Sequence, residues 1–322
     1  MRVGVDIAPL VQTRAGTARH VRGLLGALRD RPGLDLELLS FGGSGRASSI
    51  ARDAVWYPVR LGRRSPGLDV LHCTTFRGPV NAGVPTVVTV HDLAILRAPE
   101  VFPRWHRLYG RFGLERVLRA ADRIVAVSEF SRAETVELAR VSEERIHVIP
   151  HGVDSHFTLD GPRAEGDYVL AVATLEPRKN LARAVDAARA AGVELRVVGA
   201  RGWGGVDVPG WVGEIPDAQL ATLYRGARCV LYPSLYEGFG LPVLEAMACG
   251  TPVVTSVATA MEEVAGGAAV LVDPLDVTAI AEGIGQAVER RDALVAAGLA
   301  RAAEFTWERA ADSVVGLWSE LA

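Results

Sequence analysis

The stretch Ser234-Leu235-Tyr236-Glu237-Gly238-Phe239-Gly240-Leu241-Pro242-Val243-Leu244-Glu245-Ala246-Met247-Ala248-Cys249-Gly250 decides the fold. It follows an apolar run, Cys229–Pro233, that reads as a buried strand, and it holds a turn and then a helix over Leu241–Ala248. Gly238 and Gly240 suit a tight strand-to-helix turn and allow a ligand close to the backbone. Pro242 suits the first helical turn and Gly250 the helix end. The N–H groups around Gly240–Val243 then point away from the helix, an arrangement that favours a phosphate. Glu237 precedes the helix and Glu245 lies one turn inside it. Two carboxylates flanking a phosphate position make sense for a ligand that also carries hydroxyls, which donate hydrogen bonds to them.

The same grammar extends in both directions. Upstream and downstream of the stretch, strands Tyr168–Thr174, Glu194–Gly199, Pro252–Ser256 and Ala269–Asp273 alternate with helices Lys179–Ala191 and Asp217–Arg225. In the first half, strands Arg2–Ile7, Leu36–Phe41, Leu68–Cys73, Thr86–Val90 and Arg123–Val127 alternate with helices Gly16–Arg29 and Trp105–Ala120. Strands separated by helices imply parallel sheets with crossover connections. The expected architecture is α/β, with two Rossmann-like domains over residues 1–155 and 156–304. A closing segment, 305–322, carries an amphipathic helix, Trp307–Leu321, expected to cross back onto the first domain.

Composition bounds the rest. The 322 residues are 49% hydrophobic and 23% charged, which excludes a disordered chain. Cys73, Cys229 and Cys249 are scattered, so neither a disulfide framework nor a zinc site is indicated. Asp6 interrupts the N-terminal apolar run, and no apolar stretch reaches the length of a membrane span, so the expected location is cytoplasmic. Residues 1–160 hold 22 Arg against 17 acids, whereas residues 161–322 hold 13 basic residues against 21 acids. The two halves thus expect different partners, and no nucleic-acid motif accompanies the basic one. Lys179 is the single lysine of the chain.

With Glu237 and Glu245 separated by seven residues, and with the strings Glu237–Pro242 and Ala248–Val254, the sequence resembles the retaining glycosyltransferases of family 4 (GT4). These have the GT-B fold, two Rossmann-like domains facing across a cleft. The resemblance implies that Glu237 touches hydroxyls of a donor sugar and that Glu245 holds the nucleotide ribose. It places Phe239, Gly240 and Leu241 amides, next to Pro242, against sugar and phosphate. In Leu175-Glu176-Pro177-Arg178-Lys179-Asn180 it puts Lys179 on the donor diphosphate. Where many members carry Arg, this chain has Thr174, so Arg178 is expected to supply the second cation; an ion pair between Arg178 and Glu176 is the alternative. The segment Thr89–Leu93 resembles the one that lines the donor sugar with a histidine, here His91 beside Asp92, although a lone histidine is also a common structural residue. Gly16, within Arg14–Arg19, stands where the family has a glycine-rich loop against the diphosphate. Ile215, within Val212–Asp217, falls where the backbone reads the base. Ser128 serves equally as a helix cap or a ligand contact on the acceptor side. Pro150–Asp154 marks the hinge. Val257–Met261 departs from the family pattern, which leaves donor preference open.

The implied activity is a hexosyltransferase moving mannose or glucose from a nucleotide diphosphate sugar, of GDP-mannose or UDP-glucose type, to a glycan, lipid-linked or small-molecule acceptor. Arg178, Lys179 and the helix start at Gly240 would neutralise the leaving diphosphate, so no metal or other cofactor is expected. Glu237, His91, Lys179 and Arg178 are the expected catalytic group. Arginines interleaved with aromatic residues over 97–123 suit a lipid-linked acceptor at the inner membrane face, or simply a solvated helix face. A sugar-nucleotide epimerase of the same architecture and a non-catalytic nucleotide-sugar-binding protein are the alternatives.

Overall fold

The structure is a computed structural model that describes residues 1–12, 16–43, 45–102, 107, 110–203, 205 and 208–322. The chain forms two compact units, Met1–Gly152 with Trp307–Ala322, and Val153–Thr306. The first division lies three residues before the boundary read from sequence and the second two residues after it.

In the first unit, β1 (Arg2–Asp6), β2 (Asp35–Leu39), β3 (Val70–Cys73), β4 (Thr86–Val90), β5 (Arg123–Ala126) and β6 (Ile146–Val148) make one parallel sheet in the order β2-β1-β3-β4-β5-β6. Both faces of such a sheet are covered, so its central strands are apolar throughout rather than alternating. Thr86-Val87-Val88-Thr89-Val90 is buried at every position for this reason. The terminal helix Trp307–Ser319 belongs to this unit and packs on the helix Gly16–Leu28. Trp307, Val314 and Leu317 close one core with Val3, Val5, Leu24 and Leu28. Trp307 sits in the notch left by Gly23, where a Cβ would lie 2.0 Å from the indole.

The second unit repeats the plan. β7 (Tyr168–Val172), β8 (Glu194–Val198), β9 (Trp211–Gly213), β10 (Val230–Tyr232), β11 (Val253–Ser256) and β12 (Val270–Val272) run parallel in the order β12-β11-β10-β7-β8-β9. The winding reverses between β7 and β10, and in the first unit between β1 and β3. Such switch points open a crevice at the carboxyl ends of the strands, where ligands bind.

Two sequence expectations need correction. The helix expected over Lys179–Ala191 spans Leu181–Ala190, after a separate 3-10 turn, Pro177–Lys179. Asn180 takes a left-handed backbone (φ 59°) between them, which ends the turn and restarts the chain as a helix. The helix expected over Trp105–Ala120 is α-helical only at Glu115–Ala120, preceded by wider π winding at Gly110–Leu114. Gly110 and Gly113 weaken regular winding there, and residues 103–106 and 108–109 lie outside the described residues.

Candidate active site

In the second unit the loops after β7 and β10 meet at the switch point and bring four charged side chains together. Lys179 Nζ lies 2.5 Å from Glu237 Oε1, and Arg178 Nη1 lies 3.1 Å from Glu237 Oε2. Arg178 also donates to both oxygens of Glu176, at 3.1 and 3.3 Å, and to the Tyr236 carbonyl at 3.2 Å. The two readings of Arg178 are therefore both realised: it bridges Glu176 and Glu237. Tyr232 accepts from Lys179 at 3.1 Å and donates to Glu237 at 3.0 Å. Lys179 is 8% exposed and Glu237 6%. Burial alone would raise the Glu237 carboxyl, but the Lys179 and Arg178 charges overcome it and hold it at about 2. Burial and the adjacent Arg178 lower the Lys179 ammonium.

Asn180 fixes this edge. Its side-chain amide donates to the Pro233 and Pro274 carbonyls at 2.9 and 2.6 Å, tying together the loops after β7, β10 and β12. Gly240 has φ 112° and precedes the helix Leu241–Ala248, with Pro242 in its first turn. A Cβ there would be strained whatever the space. The Phe239 side chain is buried and packs edge-on against Phe305, 5.9 Å between centroids, so only its backbone remains for a ligand. Glu245 is buried on the helix and accepts from Tyr224 Oη at 2.8 Å. The Thr174 carbonyl accepts the Glu176 N–H at 2.8 Å, which tightens the turn that leads into Pro177–Lys179. Ile215 lies two residues beyond the end of β9, just before the helix Asp217–Gly226. In the divergent segment Ala258 is left-handed (φ 57°), its N–H held by Glu262 at 2.7 Å, while Thr259 caps the helix Ala260–Ala265.

The first unit presents neutral groups instead. His91 follows β4, and its Nε2 lies 2.9 Å from the Thr74 carbonyl, which can only accept. Nε2 therefore carries the proton. Burial lowers the pKa of His20, His91 and His151, leaving all three rings neutral. The lone pair of His91 Nδ1 then accepts from His151 Nε2 at 3.3 Å, and His151 Nδ1 accepts from His20 Nδ1 at 3.0 Å. One carbonyl thus fixes three tautomers. His20 Nε2 is buried and unpartnered at the end of the row. His151 uses opposite nitrogens for its neighbours, so the hydrogen bonds run in a row, although the three rings themselves pack as a triangle with centroids 4.7, 4.8 and 5.2 Å apart. The Trp307 indole lies edge-on to His20, at 5.9 Å between centroids, and tilted to His151, at 6.0 Å. Both nitrogens of His91 are paired, so a sugar hydroxyl would have to take the place of the longest link, the one at 3.3 Å.

Asp92 accepts the Ala94 N–H at 3.1 Å and so starts the short helix Ala94–Arg97. Ser128 is buried and caps the helix Glu129–Ala139, accepting from Ser131 N–H at 3.0 Å: of its two readings the structure displays the cap. Gly16 opens its helix, while Arg14 and Ala15 of the expected loop lie outside the described residues. Asp6, at the carboxyl end of β1, is buried, bonded to Ala8 N–H and Tyr57 Oη, and pushed up to about 7 by that burial. Sequence reasoning assigned no role to Asn180, Tyr232, Tyr224, Asp6, His20 or to the side chain of His151. Asp6 and Tyr232 sit inside apolar strand runs and look like ordinary core there, whereas the partners of the others come from segments remote in sequence.

Comparison with known proteins completes the site. The family described as "Glycosyl transferases group 1" matches residues 160–300, and that described as "Glycosyltransferase Family 4" matches residues 14–157. The O-antigen chain mannosyltransferase B of Escherichia coli is 35% identical over 73% of this chain and 70% of its own. The MMP α-(1→4)-mannosyltransferase of Mycolicibacterium hassiacum is 31% identical over 81% of this chain and 72% of its own. Among solved structures, the sucrose-phosphate synthase of Thermosynechococcus elongatus superposes with a TM-score of 0.77 at 20% identity, covering 99% of this chain and 98% of its own.

Proposed function

On the premise that the chain belongs to the group 1, family 4 glycosyltransferases, we propose that it moves a hexose from a nucleotide diphosphate sugar to a glycan, lipid-linked or small-molecule acceptor, with retention and without a metal ion. The observation that carries this reading is the convergence of Lys179 and Arg178 on Glu237 at the switch point of the second sheet. In the proposed reaction the diphosphate takes over the two cations, and the freed Glu237 carboxylate accepts hydrogen bonds from sugar hydroxyls. The bond from the anomeric carbon to the phosphate oxygen breaks as the bond to the acceptor oxygen forms on the same face. The acceptor proton passes to the departing phosphate oxygen. Arg178 and Lys179 stabilise the charge that develops on that leaving group, with the amides at Gly240–Val243 assisting.

Glu245 is the proposed ribose partner, oriented by Tyr224, and Thr174, Leu241, Pro242, Gly16 and Ile215 line the donor. His91 with Asp92 is proposed to face sugar and acceptor. The names of the two relatives favour mannose as the sugar, with GDP-mannose ahead of UDP-glucose. The proposed setting is the cytoplasm, peripherally at the inner face of a membrane. Nothing in the site favours the epimerase or non-catalytic readings. The decisive measurement is nucleoside diphosphate release and product formation across a panel of nucleotide sugars. Glu237→Gln should lower transfer by two or more orders of magnitude, since it removes the negative charge and replaces one of the two acceptor oxygens by an NH2 donor. Turnover near that of the unsubstituted chain would refute the assignment.

A further inference from the structure

Within the first unit, five of the six large apolar side chains that stand exposed among the described residues fall on β2, the 46–60 helical stretch or the loop at Val80. Leu38, Ile50, Val55, Val59 and Val80 are 52, 46, 41, 44 and 53% exposed. Val55 and Val59 lie on the helical segment Arg52–Arg60, which continues through Leu61–Arg63, and Leu38 lies on the edge strand β2. The loop that carries Val80 reaches the same place, because the Asn81 carbonyl would meet a Cβ on Gly62 at 2.5 Å.

Arg60, Arg63 and Arg64 stand exposed beside these residues, on the rim of a groove of about 580 Å3. Its wall is the stacked pair Phe41 and Trp56, with ring centroids 5.4 Å apart, and the Arg60 guanidinium lies 6.0 Å over Phe41. The nearby acids are bound elsewhere: Glu37 to Arg2 at 2.8 Å and Asp53 to Arg77 at 3.0 Å. None of the three rim arginines has a carboxylate partner among the described residues. Of the arginines singled out in the 97–123 stretch, Arg97 is bound to Glu134 and Glu137 and Arg119 to Glu115.

We propose that this face, Leu38, Val55 and Val59 with Arg60, Arg63 and Arg64, seats the first unit on an anionic bilayer. A soluble anion would satisfy the arginines and leave the valines in water. A second apolar protein surface would cover the valines and leave three unneutralised charges. A surface of phosphates over hydrocarbon satisfies both sets at once, with the apolar side chains at the headgroup boundary and the guanidinium forks on lipid phosphates. This rests on the peripheral-membrane element of the proposed function and deepens it by naming the 50–64 stretch as a contact face.

The test is sedimentation of the full chain with vesicles of phosphatidylglycerol and phosphatidylcholine, against vesicles of phosphatidylcholine alone. Each arginine near an anionic leaflet is worth about fivefold in partitioning, so the triple variant Arg60→Gln, Arg63→Gln, Arg64→Gln should bind about a hundredfold more weakly. Val55→Asp should also weaken binding, and Arg116→Gln should leave it unchanged. Circular dichroism verifies that each variant is folded, and transfer to a soluble acceptor should be unaltered in the triple variant. No preference for the anionic vesicles, or equal binding by the triple variant, overturns the proposal. So does light scattering that shows a dimer broken by Val55→Asp, or a thermal shift with inorganic phosphate that needs the arginines while vesicles fail to bind. Loss of all transfer with vesicle binding intact would instead strike the glycosyltransferase reading and leave this face standing.

Discussion

Replacing Lys179 with Met keeps the length of the side chain and removes its ammonium, which leaves Glu237 buried beside Arg178 and Tyr232 alone. The size of the effect follows from the carboxyl itself. Its fall from 4.5 to about 2, achieved against burial by Lys179 first and Arg178 second, corresponds to about 3 kcal/mol at 1.36 kcal/mol per pH unit. Lys179 carries the larger part, so the variant should lose about 2 kcal/mol or more, near the lower end for breaking a buried pair. At about 2–4 °C per kcal/mol for a unit of this size, the melting point should drop by roughly 4–8 °C. The sign with pH is fixed: a carboxyl depressed in the folded state stabilises above its unfolded value of 4.5 and loses that contribution as pH falls toward 2. The difference between the two proteins is therefore largest at neutral pH and shrinks below 4.5. Urea unfolding at pH 7.5 and pH 4, followed by fluorescence, measures it. Adding Glu237→Leu to Lys179→Met removes the stranded carboxylate, so the double variant should recover much of the loss while transfer stays abolished. A single variant within about 0.5 kcal/mol of the parent, or a double variant no better than the single, would show that these charges are not coupled as the geometry states.

Other outcomes follow from the first unit. Burial lowers His72 from 6.5 to about 3, so the unfolded chain takes a proton that the fold refuses, and about 5 kcal/mol should be lost as pH falls from 6.5 to 3, visible as an acid unfolding limb by circular dichroism. Asp6 acts oppositely: raised from 3.8 to about 7, it favours the fold below 3.8 and loses that advantage as pH rises through 7. Asp6→Asn should then raise the urea midpoint at pH 8, by up to about 4 kcal/mol of stability, and change it little at pH 4. Gly23→Ala places a Cβ 2.0 Å from the Trp307 indole, so the terminal helix must shift. Limited proteolysis should release that helix early, and a cleavage pattern identical to the parent's would contradict the packing.

Much of this was legible because parallel strands are buried on both faces and announce themselves as β-branched runs. The bounds of β4 and of the helix Leu241–Ala248 came directly from such patterns and from Gly240 and Pro242. β6 and β9 did not, since each spans three residues, is partly exposed and carries a ring, His147 or Trp211, where a strand pattern expects an aliphatic residue. The meeting of Lys179 with Glu237 could be anticipated, because their loops leave strands that turn out to be neighbours. The link between them through Tyr232 could not, because a tyrosine inside an apolar strand reads as packing until its hydroxyl is seen between two charges. Asn180 hid for a related reason: its left-handed backbone and its two carbonyl partners depend on loops that are remote in sequence.

The two switch points also show why net charge misdirects. The acid-rich second unit places Arg178 and Lys179 at the carboxyl ends of its strands, whereas the basic first unit places neutral imidazoles at the ends of its own. What sets each edge is local pairing, not the sum over the domain. The imidazole row has a further consequence. A proton added to His91 would set its Nδ1–H against the His151 Nε2–H, unless every proton in the row shifts together. Only His20 Nε2 stands outside the row with its lone pair unused. The row thereby keeps His91 uncharged, a state that suits a group proposed to meet hydroxyls. The positive charge that the proposed diphosphate requires is held separately, in the second unit, where Glu237 pairs with both Lys179 and Arg178.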